Sequence, residues 1–266
     1  MRSETFFEAH PVFTLHEFVA ARSEASSNVN TVQNLLAKHV VGGRIVRVRR
    51  GLYATVPRGV EPARAQVDPF LLASQLAEDA TISYHAALQF YGKSYSVWRR
   101  FLYLTDQRQR PFAFRGDEFV PARTPVAIRD LPDKGGGIQR VPHAGAWVRV
   151  TTLERTMVDA LSSPQRCGGW EEIWRSLEMV EFFDVDAIVA YVLRLRSAVT
   201  AARVGYFLEQ HRRELMVEES RLAELRSHAP RQPRYFDSAR AVGSLVHGWN
   251  LVVPDDIAQR RWEESP

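Results

Sequence analysis

The sequence predicts an α+β protein in which an N-terminal winged helix-turn-helix is followed by a larger mixed α/β C-terminal domain. Between Arg44 and Val56, apolar residues and arginines flank the pair Arg50-Gly51, which is typical of a β-hairpin. Three helix patterns precede this hairpin, and both helix and strand patterns follow residue 68. We therefore expect a winged-helix domain over residues 1–58, a linker over 59–67 and a second domain over 68–266.

The first forty residues contain three short helix patterns. After a first helix at residues 3–9, Thr14 and Glu17 have the spacing of a capping box, which begins a second helix. A third helix is predicted from about Asn28 to Val40 and would end at Gly42-Gly43. Gly51 can adopt the positive φ angle that a tight hairpin turn needs. Three helices followed by a two-stranded hairpin make a winged helix.

The third helix has an apolar side and a polar side. The polar side carries amide, hydroxyl and ammonium groups without a carboxylate: Ser27, Asn30, Thr31, Asn34 and Lys38. Asn can pair with the edge of adenine, and Lys with guanine or phosphate. A solvated helix face is the alternative, although such a face ordinarily includes Glu or Asp. We expect this side of the helix to read DNA.

The hairpin is rich in arginine. Its four cations are Arg44, Arg47, Arg49 and Arg50. They could discourage aggregation at a sheet edge or contact phosphates as a wing. Residues 1–66 hold nine Lys or Arg and five Asp or Glu, whereas the remaining residues hold 26 of each. This local excess favours a polyanion. We expect double-stranded DNA, an operator with repeated half-sites, as the partner.

Composition argues against several other classes of protein. The single Cys167 excludes an intramolecular disulfide and a cysteine-based metal site, and no apolar run reaches transmembrane length. With Glu4 and Glu8, the N-terminus lacks the apolar core of a signal peptide. We therefore expect a cytoplasmic protein with no membrane partner.

An enzymatic role is not expected either. A metal-dependent nuclease needs convergent carboxylates, usually with a lysine nearby. The chain has only three lysines, Lys38, Lys93 and Lys134, and none follows an acid with one intervening residue. The histidines form no i, i+4 pair of ligand type. We expect no catalytic residue, cofactor or metal site; a nuclease with a winged-helix targeting domain is the less favoured alternative.

The C-terminal patterns indicate a scaffold. Strands are predicted at residues 101–104, 112–114, 125–128 and 147–150. We expect Ser83 to cap a helix, Arg155 and Asp159 to serve as ion-pair groups, and Gly205 to permit close packing of helices.

Several stretches resemble one known family. The order TVQNLLAKHVVGG, then RIVRVRRGLYATV, is similar to the winged-helix start of the AbiE-type antitoxins of bacterial type IV toxin–antitoxin (abortive phage infection) systems. TISYHAALQFYG, VRVTTLERTMVDAL and RVGYFLE resemble the C-terminal domain of the same family. The resemblance implies a repressor of its own operon that also counters a nucleotidyltransferase toxin. Relatives are also described simply as transcriptional regulators, so a stand-alone regulator with no toxin partner remains open.

Overall fold

The computed structural model describes residues 3–22, 29–237, 242–260 and 262, and it is a mixture of helices and sheets. The predicted α+β class is therefore confirmed. The chain divides into two compact units. Unit 1 comprises Met1–Ile82, Arg99–Pro121 and Arg140–Val150, and unit 2 comprises Ser83–Trp98, Ala122–Gln139 and Thr151–Pro266.

Unit 1 begins with three helices and a small antiparallel sheet. The elements are α1 (Ser3–Ala9), β1 (Val12–Thr14), α2 (Leu15–Ala20), α3 (Val29–Val41), β2 (Ile45–Arg49) and β3 (Leu52–Thr55). The strands lie in the order β1-β3-β2, with Val12 opposite Ala54. The third helix and the hairpin lie where the sequence predicts them. The short strand β1 was not predicted.

Local chemistry fixes these elements. The backbone N–H of Glu17 donates to Thr14 Oγ1 at 3.2 Å, and the N–H of Thr14 donates to Glu17 Oε2 at 2.7 Å. This is the predicted capping box at the start of α2. At the hairpin turn, Gly51 has a φ of 76°, which residues with a side chain rarely adopt.

Phenylalanine rings form most of the core beneath these elements. Phe6, Phe7, Phe13 and Phe18 are buried, and they pack with Val32, Leu36, Ile45 and Tyr53. The rings of Phe6 and Phe13 meet edge to face, with centroids 5.0 Å apart. The apolar side of α3 therefore faces inwards, which leaves its polar side exposed.

The rest of unit 1 is a helix and a six-stranded mixed sheet. These elements are α4 (Pro69–Ser74), β4 (Thr81–Ile82), β5 (Arg100–Leu104), β6 (Phe112–Phe114), β7 (Asp117–Ala122), β8 (Ile138–His143) and β9 (Ala146–Thr151). The strand order is β6-β7-β5-β4-β9-β8. Strand β4 is antiparallel to β5 and parallel to β9.

The unit boundaries differ from the predicted domains at 1–58 and 68–266. Residues on both sides of the expected 59–67 linker belong to unit 1. Gln75 Nε2 donates to Glu17 Oε1 at 3.2 Å, and the Arg115 guanidinium donates to the carbonyl of Pro62. Ala65, inside the expected linker, is buried. These contacts join α2 to the end of α4, and the expected linker to the turn between β6 and β7.

Unit 2 is mostly helical. Its elements are α5 (His85–Phe90), α6 (Val126–Arg129), α7 (Leu153–Ser162), a 3₁₀ turn (Pro164–Arg166), α8 (Trp170–Glu178), α9 (Val185–Leu195), α10 (Ala198–Gln210), α11 (Glu219–Ser227), β10 (Arg234–Tyr235), β11 (Gly243–Val246), β12 (Leu251–Pro254) and α12 (Asp255–Ala258). Helix α7 packs against α5, α9 and α10. The three strands lie in the order β10-β12-β11. None of the helices that the structure describes combines the length and apolar composition needed to cross a bilayer.

Two local predictions for unit 2 are wrong. The segment 125–128 is not a strand, because α6 begins after Pro125; a four-residue apolar run fits either element, and proline readily precedes a helical turn. Ser83 does not cap α5. Tyr84 precedes that helix with a φ of 55°, and the Oγ of Ser83 is buried without a hydrogen-bond partner among the described residues.

The predicted pair of Arg155 and Asp159 is confirmed as a buried ion pair in α7. Arg155 Nε lies 3.4 Å from Asp159 Oδ2, and both side chains are at most 2% exposed. Arg155 also donates to the carbonyls of Lys134 and Gly136, at 3.0 and 2.6 Å. The hydroxyl of Tyr191 donates to Asp159 at 2.8 Å. Hydrogen bonds therefore compensate most of the two buried charges, and Nη2 of Arg155 is buried without a hydrogen-bond partner among the described residues.

Gly205 lies in α10 against the indole of Trp249, which is in the turn between β11 and β12, so the close packing is with this indole and not with another helix as predicted. A Cβ at Gly205 would overlap that ring. We expect Gly205→Ala to destabilise the protein by about 1–3 kcal/mol in urea unfolding, because the indole must move. Combining it with Trp249→Phe should cost less than the sum of the single changes. An ordinary glycine in a helix would instead gain up to about 1 kcal/mol on the same change, and that result would contradict this packing.

Candidate nucleic-acid interface

A groove of about 810 Å³ lies between α3 and the hairpin of unit 1. One wall is the exposed side of α3, and the other is the hairpin of β2 and β3 with its turn. The groove is lined by Leu15, Gln33, Asn34, Ala37, Val40, Val41, Arg47, Arg50, Gly51 and Tyr53. None of these ten residues is a carboxylate.

The polar side of α3 is exposed, as the sequence predicts. Asn30, Thr31, Asn34 and Lys38 are all exposed, whereas Val32 and Leu36 on the other side are buried. Of the four, Asn34 lines the groove. Ser27, the fifth predicted residue, lies outside the described residues.

Two of the four hairpin arginines lie at the groove. Arg47 and Arg50 are exposed and line the wall opposite α3. Between Arg47 and Arg49 the pairing of β2 with β3 shifts register, so that Arg47 is opposite Tyr53 and Arg49 is opposite Leu52. Such an irregularity redirects side chains along a strand. It places neighbouring arginines in different surroundings.

The other two hairpin arginines, Arg44 and Arg49, have partners within unit 1. Arg49 Nη2 donates to the carbonyl of Leu76 at 2.7 Å, and its guanidinium lies 5.9 Å from the ring centroid of Phe112. Arg44 pairs with Glu4 at 3.5 Å. It precedes β2, and thus lies at the opposite end of the hairpin from the turn. Both side chains are partly buried rather than fully exposed.

The groove also contains residues that the sequence reasoning missed. Gln33 is exposed on α3 beside Asn34 and adds a second amide. Gln33 precedes Ala37 by one helical turn, so it lies at the edge of the polar stripe rather than at its centre. Tyr53 comes from the hairpin strand opposite Arg47. Its ring stacks on Phe13, with centroids 5.7 Å apart.

The charged groups that line the groove between α3 and the hairpin are all positive. Burial, together with the nearby guanidinium groups of Arg44 and Arg22, lowers the pKa of His39. His39 is therefore neutral at pH 7 and adds no charge to α3. With Arg47 and Arg50 charged and no carboxylate in its lining, the groove is basic. An anionic ligand with hydrogen-bonding edges matches this surface.

Among the described residues, no group of three or more His, Cys, Asp or Glu side chains is placed to hold a metal ion. Cys167 is buried, and burial raises the pKa of its thiol well above the ordinary value. The thiol is therefore protonated at neutral pH.

The fold and the groove define an α+β protein with a basic cleft beside an exposed helix. No protein-family model and no curated protein matches the sequence. A solved structure, that of the Rv2827c protein from Mycobacterium tuberculosis, resembles it with a TM-score of 0.54 and 17% identity. The likeness covers 91% of this chain and 86% of that chain. At this identity the likeness shows the fold alone.

Proposed function

We propose that this chain is a DNA-binding transcriptional repressor of its own operon, and the antitoxin of a type IV toxin–antitoxin pair that counters a nucleotidyltransferase. The observation that carries the DNA-binding part is the groove between α3 and the hairpin. It brings Asn34 of the helix and Arg47 and Arg50 of the hairpin to one carboxylate-free surface.

In this proposal α3 enters the major groove, which is wide enough to admit a helix. Asn34 and Gln33 face base edges, where an amide can form two hydrogen bonds with adenine. Lys38, Arg47 and Arg50 contact phosphates, which hold the protein without reading sequence. Asn30 and Thr31 lie at the start of the same exposed side. Arg49 has a different role and holds the hairpin to the rest of unit 1.

The operator is proposed to contain repeated half-sites, because two winged helices that bind together gain affinity over one. A cytoplasmic location belongs to the same proposal. It agrees with a single, buried Cys167 and with a DNA ligand.

The antitoxin part rests on the resemblance of three sequence stretches. The first stretch forms β4 and α5, the second forms the end of β9 and most of α7, and the third lies within α10. Their buried residues, including Arg155 and Gly205, build the interior of the protein. A partner would contact the surface that this scaffold presents. Co-expression with a nucleotidyltransferase encoded beside this chain tests the idea: growth should be restored, and a stand-alone regulator would leave growth arrested.

One prediction distinguishes contacts to base edges from contacts to phosphates. We expect Asn34→Ala to reduce the preference for operator over random duplex by about 1–3 kcal/mol, because a base contact is lost. Lys38→Ala is the matched control on the same helix, and should weaken binding to both duplexes alike. Fluorescence anisotropy with the two duplexes measures both quantities. An equal loss on the two duplexes for Asn34→Ala would show that α3 does not read bases.

A further inference from the structure

A second cleft in unit 1 has a different chemistry from the DNA groove. Its volume is about 580 Å³, which is within the range of small-molecule sites. One wall is the start of α2, a second is the end of α4 with the turn after it, and the third comes from β8 and β9. The first two walls are lined by Thr14, His16, Glu17, Ser74, Gln75, Ala77, Glu78 and Ala80.

An exposed tryptophan dominates the third wall. Trp147 is 61% exposed, whereas Val148 and Val150, further along the same strand, are buried. Because side chains alternate along a strand, Trp147 and Arg149 face the cleft together. The guanidinium of Arg140 lies 5.9 Å from the centroid of the indole. A large aromatic ring held open to solvent beside a cation offers a stacking surface for another flat ring.

Arg149 supplies an oriented cation next to this ring. Its Nε donates to the carbonyl of Ala80 at 3.2 Å, which fixes the plane of the guanidinium. Burial lowers the pKa of Arg149; nearby Asp79 opposes this, and the positive charge of Arg140 lowers it further. The two guanidinium groups on this wall therefore repel each other. An anion between them would relieve that repulsion and accept charge-assisted hydrogen bonds.

The carboxylates of the cleft limit the size of that anion. Glu17 is held by the capping box and by Gln75, and Glu78 is exposed at the rim. A nucleic-acid backbone running through the cleft would approach both carboxylates, whereas a single anionic group can be held by the arginines alone. This distinguishes the cleft from the α3 groove, whose lining has no carboxylate.

We propose that this cleft binds a small planar aromatic anion of the size of a nucleoside monophosphate, with its ring stacked on Trp147 and its anionic group held by Arg140 and Arg149. The site is independent of the proposed DNA groove, because it shares no lining residue with it. The side-chain oxygens of Thr14, Ser74 and Gln75 can accept hydrogen bonds from the polar edge of the ring, because their hydroxyl and amide donors already bond to Glu17 and Leu71.

Isothermal titration of the full chain with the four nucleoside monophosphates, salicylate and inorganic phosphate tests the proposal. We expect at least one aromatic anion to bind. Binding of a nucleoside monophosphate would show that the anionic group is a phosphate, and binding of salicylate would show that it is a carboxylate. Trp147→Ala should weaken binding at least about fivefold through lost stacking. Arg140→Ala should weaken it about tenfold or more through a lost charged hydrogen bond.

Three controls make the outcome decisive. Arg100→Ala, on the same sheet but outside the cleft, should bind as the unaltered chain does. Trp147→Phe should keep most of the affinity while removing ligand-induced quenching of the indole fluorescence. As the third control, Trp147→Ala and Trp147→Phe should both melt at the temperature of the unaltered chain, because Trp147 is largely exposed. Absence of binding by every aromatic anion at millimolar concentration, or equal binding of inorganic phosphate alone, would overturn the proposal.

Discussion

Arg155→Met should lower the free energy of unfolding by about 3–5 kcal/mol, because it leaves the carboxylate of Asp159 buried without its cation. Two backbone carbonyls, of Lys134 and Gly136, would also lose their hydrogen-bond donor. The Tyr191 hydroxyl would remain as a hydrogen-bond donor to the Asp159 carboxylate. Urea unfolding of the full chain measures the loss.

The size of this loss should depend on pH. Burial raises the pKa of Asp159, and Arg155 opposes that shift in the unaltered chain. Without Arg155, the folded-state pKa of Asp159 rises further above its unfolded value. A group shifted in this direction contributes stability at low pH that is lost as pH rises through the folded pKa. We therefore expect a larger deficit at about pH 8 than at about pH 5.

Two comparisons isolate the buried pair. Adding Asp159→Asn to Arg155→Met removes the titrating carboxyl, and should abolish the pH dependence while recovering part of the stability. Arg175→Met breaks a more exposed i, i+4 pair with Glu171 in α8 and should cost about 1 kcal/mol or less. Equal losses for Arg155→Met and Arg175→Met would contradict the importance of burial.

The second large effect concerns DNA. Replacing Arg47 and Arg50 together by Ala should weaken binding to every duplex by about 30-fold or more, because two charged contacts to phosphates are lost. The slope of log affinity against log salt should fall by about 0.9 for each contact, since fewer counterions are released. Both side chains are exposed, so stability should hardly change.

Arg49→Ala is the matched control for the double replacement. It removes a neighbouring arginine whose guanidinium bonds to Leu76 and lies over Phe112. We expect it to reduce stability while leaving the salt slope unchanged. If Arg49→Ala flattened the slope and the double variant did not, the placement of these arginines would be incorrect.

The sequence predicted those elements that depend on nearby residues. The capping box at Thr14 and the glycine turn at Gly51 each depend on residues within a few positions, and the start of α2 and the hairpin follow from them. The class of fold follows from the same patterns. The polar stripe of α3 also identified Asn34, because helix periodicity fixes which residues share a side.

What the sequence did not reveal depends on distant contacts. The partner of Arg49 lies 27 residues further along the chain, so nothing near Arg49 shows that its charge is used inside unit 1. The register shift in β2 separates Arg47 from Arg49 in a way that alternation does not predict. Local composition also does not show that residues 59–67 contact the rest of unit 1. The carbonyl of Pro62 accepts a hydrogen bond from the guanidinium of Arg115, which is 53 residues further along the chain.

The most direct test of DNA binding is the affinity of the full chain for a duplex taken from upstream of its own gene. Measured against a scrambled duplex by anisotropy at several salt concentrations, the upstream duplex should bind about a thousandfold more tightly or better. Affinity for both duplexes should fall steeply as salt rises. Absence of binding to either duplex at low salt, or an affinity that salt does not change, would contradict the assignment of the α3 groove to DNA.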